Sequence, residues 1–239
     1  MNHFIEKFSE DSRVLNSSLN ASGRFSFQRE EMKRIVPEIV KKLELKPNDN
    51  LLDIGCNCGD ITIPLSFMCG NVTVIDGAGS IERIKCRTSD YDNFTYIEGD
   101  FLSANITEKF DCILAYSVLM YVESFEKKLE FILKAASMLK SGGRLLIGDI
   151  VNGNRKNRFA NSPKGKEVDR IYKENLEHLT DEDIIKSEHD RPVENVLNDV
   201  QLMQILLRVR EMGYESYLLP QNQKLPFGYT RDDILVKAW

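Results

Sequence analysis

The chain has 239 residues, enough for one large domain with a substantial core, or for one domain carrying an insertion. Its 42% hydrophobic and 29% charged residues are ordinary for a water-soluble protein, and a formal charge of −5 argues against a dedicated nucleic-acid binder. No apolar run approaches the roughly 18 residues of a membrane helix, and Met1-Asn2-His3-Phe4-Ile5-Glu6 lacks the basic and apolar regions of a signal peptide, so a cytosolic location is expected.

Residues 1–23 are polar and rich in Ser and Asn, with a weak helical pattern that reads as a mobile arm. Met32, Ile35, Val36, Ile39, Val40 and Leu43 then recur at helical spacing, with Pro37 inside the stripe, where it kinks the helix or starts a second one. After the turn signal Lys46-Pro47-Asn48-Asp49-Asn50 comes a strand near 51–54, then a helix after Gly59 carrying Ile61, Ile63, Leu65 and Met68. Further strands are predicted at 72–76, 94–97, 112–116 and 144–147, with a helix marked by Phe125, Leu129, Ile132, Leu133, Ala136 and Leu139 before the last of them. Alternating strands and helices predict βαβ units and a parallel sheet, with ligands beyond the carboxyl ends of the strands. A helix near 198–212 leads to two strands, 214–219 and 233–238, whose short helix-free link predicts an antiparallel hairpin. Residues 1–46 therefore read as an N-terminal helical arm or cap, and 47–239 as the ligand-binding domain.

The richest segment is Leu51-Leu52-Asp53-Ile54-Gly55-Cys56-Asn57-Cys58-Gly59-Asp60. An apolar strand ends in an acid, and the following turn brings backbone amides to a helix start, where glycine permits close approach. A nicotinamide-type GxGxxG begun at Gly55 needs glycine at 57 and 60, where the chain has Asn57 and Asp60. An acid with glycines two, four and six residues on fits better: Asp53, Gly55 and Gly59 match, and Asn57 is the side chain most tolerant of positive φ. Cys56-x-Cys58 has no second Cys or His pair at a ligand spacing, so no metal is expected; with Cys69, Cys86 and Cys112 the cysteines read as small packing residues in a reducing compartment.

On these residues the chain resembles the class I S-adenosylmethionine-dependent methyltransferases, from about residue 50 to 150 and again in the terminal hairpin. The resemblance implies a doubly wound, mostly parallel seven-stranded sheet with a C-terminal antiparallel hairpin, and S-adenosyl-L-methionine as cofactor. It implies that Asp53, Gly55, Cys56, Asn57 and Gly59 wrap the methionine portion and that Asp76, beside Gly77, accepts from the ribose hydroxyls. Asp100 and Phe101 would meet adenine, Tyr116-Ser117 the methionine amino group, and Ser141-Gly142-Gly143 would form the turn before the fifth strand.

The acceptor is sought in residues 151–197, long enough for a lid or binding insertion. Seven bases over 154–173 face Glu167 and Asp169, and the sign reverses over 174–190. Arg155 and Arg158, with Asn152, are the candidate contacts to a phosphate or carboxylate on a small anionic acceptor; Lys164 is a further one. Asp149 is the candidate base or acceptor clamp, and Tyr121 could reach the transferring group. His178, His189, Asn222 and Phe227 are secondary candidates for the pocket. The segment 149–159 also resembles methyltransferases of bacterial capsule and surface-polysaccharide pathways, which implies O-methylation of a sugar, nucleotide-linked sugar or phosphorylated precursor. The rival readings are an RNA or protein methyltransferase, a catalytically silent cofactor-binding scaffold and, third, a dehydrogenase.

Overall fold

Leu- and Ile-rich runs bounded by turn residues become the strands of one sheet. The computed structural model describes residues 3–189, 193 and 195–239. The strands are β1 (Asn50–Ile54), β2 (Asn71–Asp76), β3 (Phe94–Glu98), β4 (Phe110–Tyr116), β5 (Leu139–Val151), β6 (Glu215–Pro220) and β7 (Arg231–Lys237). Their order is β3-β2-β1-β4-β5-β7-β6. The first five are parallel, while β7 runs antiparallel to both β5 and β6. The order reverses between β1 and β4, and such a switch point leaves a crevice beyond the carboxyl ends of the strands.

The helices before the sheet are α1 (His3–Val14), α2 (Ser18–Ala21), α3 (Arg29–Met32) and α4 (Ile35–Leu43). Pro37 starts a helix rather than kinking one, since it lies in the first turn of α4, where its missing N–H leaves no bond unmade. Next come α5 (Thr62–Ser66), α6 (Ala78–Arg87) and α7 (Phe125–Ser137). After β5 follow α8 (Gly153–Ala160), α9 (Pro163–Leu176), α10 (Asp181–His189) and α11 (Asp199–Glu211).

Alternate residues of each central strand feed opposite cores. Leu52, Ile113 and Leu145 pack with Ile132 and Ala135 of α7 and Ile205 of α11. Leu51, Leu114 and Leu146 pack with Ile39 of α4 and Ile84 of α6.

Two expectations change. The N-terminal segment is a docked cap rather than a loose arm. The Ser9 hydroxyl accepts from the Gly79 N–H at 2.6 Å, and Arg83 donates to the carbonyls of Ser12, Leu15 and Asn16. A Cβ on Gly79 would lie 2.1 Å from the Ser9 carbonyl oxygen, so glycine is what lets α1 lie this close to α6. Secondly, among the described residues the segment after β5 holds the helices α8, α9 and α10, and Asp183 of α10 packs on the cap. Asp183 accepts from Asn20 Nδ2 at 2.7 Å and from the Ser26 N–H at 2.8 Å. Burial opposes its charge, but these bonds and the Thr180 hydroxyl hold its carboxyl below the ordinary range. Lys186 Nζ sits 3.8 Å from the centre of the Phe25 ring.

Candidate active site

The turn after β1 takes the left-handed conformation at alternate positions, with φ of +81° at Gly55, +47° at Asn57 and +85° at Gly59. A Cβ on Gly55 would stand 2.4 Å from Val118 Cγ2, so that position excludes any side chain. Asp53 is buried at the end of β1 and accepts from the Thr62 hydroxyl at 2.5 Å. Burial pushes its carboxyl up to about 7; the Thr62 bond opposes this and the nearby charge of Asp76 adds to it.

Asp76 ends β2. Its two oxygens accept from the N–H groups of Asn57 at 2.7 Å and Gly77 at 2.6 Å. Burial raises its carboxyl despite these bonds. Asp100 follows β3 and accepts from the Leu102 N–H at 2.9 Å, while the buried Phe101 packs edge-on against Phe131. Tyr116 ends β4 with its hydroxyl accepting from Gln221 Nε2 at 3.0 Å; burial and the charges of Asp149 and Asp233 push its phenol well above the ordinary range. Ser117 follows at φ +60°.

A cavity of about 160 Å³ opens at this edge of the sheet. Asp53, Gly55, Cys56, Asn57, Asp76, Asp100, Phe101, Tyr116, Ser117 and Tyr121 all line it. Gly59 and Gly77 are not on its wall. They brace it: the Gly59 N–H donates to the Cys56 carbonyl, and the Gly77 N–H to Asp76.

The cap supplies the residues that sequence reasoning missed. Phe4, Ile5 and Phe8 of α1, with Ser22, Arg24, Met32 and Ile35, also line the cavity. Tyr121 is held between the rings of Phe4 and Phe8, at 5.0 and 4.8 Å between centroids. Arg24 Nη2 donates to Asp149 Oδ2 at 2.6 Å and to the Ser117 hydroxyl at 2.8 Å. Among the described residues its Nε and Nη1 have no hydrogen-bond partner, so a buried guanidinium offers donors at the cavity. A long separation in sequence, with no motif around Arg24, hides this from the linear chain.

The acceptor-side candidates lie elsewhere than expected. Asp149 is buried at φ +59°, off the cavity wall. Its oxygens accept from Arg24, from the Ser117 hydroxyl at 2.6 Å and from Arg231 Nε at 3.1 Å, so both oxygens are engaged by arginines. Asn152 is buried and caps α8 by accepting from the Arg155 N–H, while its Nδ2 donates to Asp199 and Asp232. Arg155 Nη1 donates to Asp232 at 2.7 Å and its Nε to the Tyr229 carbonyl at 3.0 Å. Arg158 Nη1 donates to Asp199 at 2.6 Å. These residues fasten α8 to β7 and α11, and none of them lines the cavity. Lys164 pairs with Glu167 on the surface.

His178 is exposed, and the side chain of His189 lies outside the described residues. Asn222 Nδ2 donates to Glu38 at 2.7 Å. Phe227 lies against the guanidinium groups of Arg24 and Arg231, behind the cavity wall. Among the described residues no group of three or more His, Cys, Asp or Glu side chains is placed to hold a metal ion, and no helix is long and apolar enough to cross a membrane.

A family model described as Nodulation protein S (NodS) matches residues 14–176. Nodulation protein S of Bradyrhizobium diazoefficiens is 31% identical over 98 residues, which cover 41% of this chain and 47% of that protein. The chain spans about half the length of such curated relatives. Among solved structures, N-methyltransferase NodS from Bradyrhizobium japonicum WM9, in complex with S-adenosyl-L-homocysteine, superposes with a TM-score of 0.59 at 20% identity over 97% of this chain and 96% of that one. Phosphoethanolamine N-methyltransferase 1 of Haemonchus contortus, in complex with phosphoethanolamine and S-adenosylhomocysteine, gives a TM-score of 0.67 at 17% identity over 98% of this chain and 47% of that one. The fold is that of the Rossmann-like methyltransferases.

Proposed function

This chain belongs to the nodulation protein S family, and from that premise we propose that it is an S-adenosylmethionine-dependent methyltransferase acting on an amine nitrogen of a small molecule. The observation that carries the cofactor is the donor and acceptor set around one cavity: Asp53, Asp76 and Asp100 at the ends of successive strands, with Arg24 reaching in from the cap. Among the described residues Asp76 is held by the N–H groups of Asn57 and Gly77 and by the Ser80 hydroxyl, all neutral donors, which suits it to accept further from the ribose hydroxyls. Asp100, beside Phe101, suits the adenine amine and ring. The Nε and Nη1 donors of Arg24, next to Ser117, suit the methionine carboxylate. When bound, the cofactor supplies an activated methyl group.

The protein's part is then to enclose and align. Phe4, Ile5 and Phe8 roof the cavity with apolar surface, which excludes water, and Tyr121 is fixed between two of these rings. Once its ammonium has lost a proton to solvent, a neutral amine attacks the methyl group without further help, whereas a neutral hydroxyl needs a base within reach to take its proton as it attacks. The leading candidate for such a base, Asp149, is engaged by two arginines, and neither His3 nor His178 lines the cavity. This moves the reading from the oxygen acceptor expected in the sequence to nitrogen. The solved N-methyltransferases that share this fold support the same choice. Arg155 and Arg158 are paired with Asp232 and Asp199 and do not line the cavity, which gives no support to an anionic acceptor. A cytosolic setting fits five free cysteines, four of them buried.

Calorimetry with S-adenosyl-L-homocysteine, followed by transfer of labelled methyl to a panel of amino sugars, small alkyl amines, N-acetylated sugars and phosphorylated sugars, tests this. Label on the free amines alone is expected. Label on hydroxyl or phosphate oxygens returns the reading to O-methylation of a sugar or capsule precursor, and absence of cofactor binding overturns the methyltransferase assignment.

A further inference from the structure

One residue of the β1 turn breaks the glycine pattern, and its side chain leaves the turn. The backbone N–H of Asn57 donates to Asp76 at 2.7 Å, and its Oδ1 accepts from the Cys58 N–H at 2.6 Å. Its Nδ2 donates to the carbonyl of Ala21 at 3.2 Å. Ala21 is the fully buried last residue of α2, where helical carbonyls lack partners within the helix. Ser22 and Arg24, just beyond it, line the cavity. A single residue thus touches the acid of β2 through its backbone and the cap through its side chain.

Backbone conformation alone does not call for asparagine here. Glycine adopts φ +47° with less strain, but it would leave the Ala21 carbonyl without this donor. We propose that Asn57 is a positioning residue that couples the cofactor turn to the cap, so that the cap is held shut over a ligand seated on Asp76. The coupling rests on the cofactor reading above and deepens it by naming the residue that governs ligand release. It is separate from the link made by Arg24, which reaches β5 at Asp149 rather than the β1 turn.

The test uses the full chain as wild type, Asn57→Gly and Asn57→Asp. Three quantities are measured: amide hydrogen exchange over residues 17–24 without ligand, the dissociation rate of S-adenosyl-L-homocysteine, and the thermal midpoint. Losing one hydrogen bond is expected to speed exchange over 17–24 by about tenfold and ligand dissociation by about tenfold in Asn57→Gly. The midpoint should not fall, because glycine suits the left-handed turn. Asn57→Asp keeps an acceptor for the Cys58 N–H but has no donor for Ala21, so the same changes are expected, and it decides the matter if the glycine variant folds poorly. If asparagine serves only to shape the turn, both variants keep wild-type cap exchange and wild-type release, and that result overturns the proposal. Faster cap exchange with unchanged release overturns it as well, since cap and ligand would then be uncoupled. Should the wild type bind no S-adenosyl-L-homocysteine, the cofactor reading fails, while exchange in the ligand-free protein still reports whether Asn57 holds the cap.

Discussion

At the ends of β1 and β2, Asp53 and Asp76 are held by neutral donors: the Thr62 hydroxyl for one, the Asn57 and Gly77 N–H groups for the other. Around α8 the arrangement is opposite, with Arg155 against Asp232 and Arg158 against Asp199. Both regions are rich in charge, yet only the first leaves charge facing a cavity. A carboxylate held by neutral donors keeps its field and its spare lone pairs for a ligand, whereas an ion pair has satisfied both. The comparison therefore separates a binding region from a fastening region.

The largest effect is expected at Asp149, the anchor between the two regions. Asp149→Asn leaves the buried Arg24 and the half-buried Arg231 without their anion, and breaking a buried pair costs about 3–5 kcal/mol. Urea denaturation should show it; a variant of wild-type stability that has lost turnover would restore Asp149 as a base. Next comes Asp76→Ala. Removing an acceptor of charged hydrogen bonds to two hydroxyls should weaken S-adenosyl-L-homocysteine about a hundredfold by calorimetry. An unchanged affinity would mean that the cavity carboxylates are not the binding region.

Asp53 sharpens the comparison through pH. Its folded carboxyl titrates near 7, above its unfolded value, so between about pH 4 and 7 the native state keeps a proton that the unfolded chain has lost. Stability contributed by that proton is present at low pH and lost as pH rises through the window. Asp53→Asn cannot titrate, and it should stabilise the fold by up to about 4 kcal/mol at pH 8 and by almost nothing at pH 4. A gain independent of pH would show that the charge of Asp53 is not what burial penalises. The smallest effects belong to α8. Arg155→Ala should cost about 1–2 kcal/mol through Asp232 and the Tyr229 carbonyl. Arg158→Ala should leave the thermal midpoint unchanged, because its pair with Asp199 is solvated. Neither variant should alter the acceptor KM; a raised KM in either would return α8 to the binding region.

Local pattern was enough to read the sheet and to bring most of the candidate cofactor residues to one edge of it. Strand ends are marked by where an apolar run meets an acid, and a parallel sheet gathers those ends on one edge, so Asp53, Asp76, Asp100 and Tyr116 could be placed together from their order alone. The roof of the site was not legible. Phe4, Phe8 and Arg24 lie far from the β1 turn in sequence; Phe4 and Phe8 reach the cavity on α1, which lies close to α6 where Gly79 has no side chain, and Arg24 reaches it from the loop after α2. The basic run after β5 misled for the same reason in reverse. Sequence counts the charges of Arg155 and Arg158, but only the antiparallel β7 and the helix α11 bring Asp232 and Asp199 beside them. The alternation of elements and the chemistry at the strand ends can be read from the linear chain, because these depend on short-range periodicity and turn geometry. Which charges stay available and which are cancelled was decided by tertiary structure, because pairing depends on distances that the linear chain does not contain.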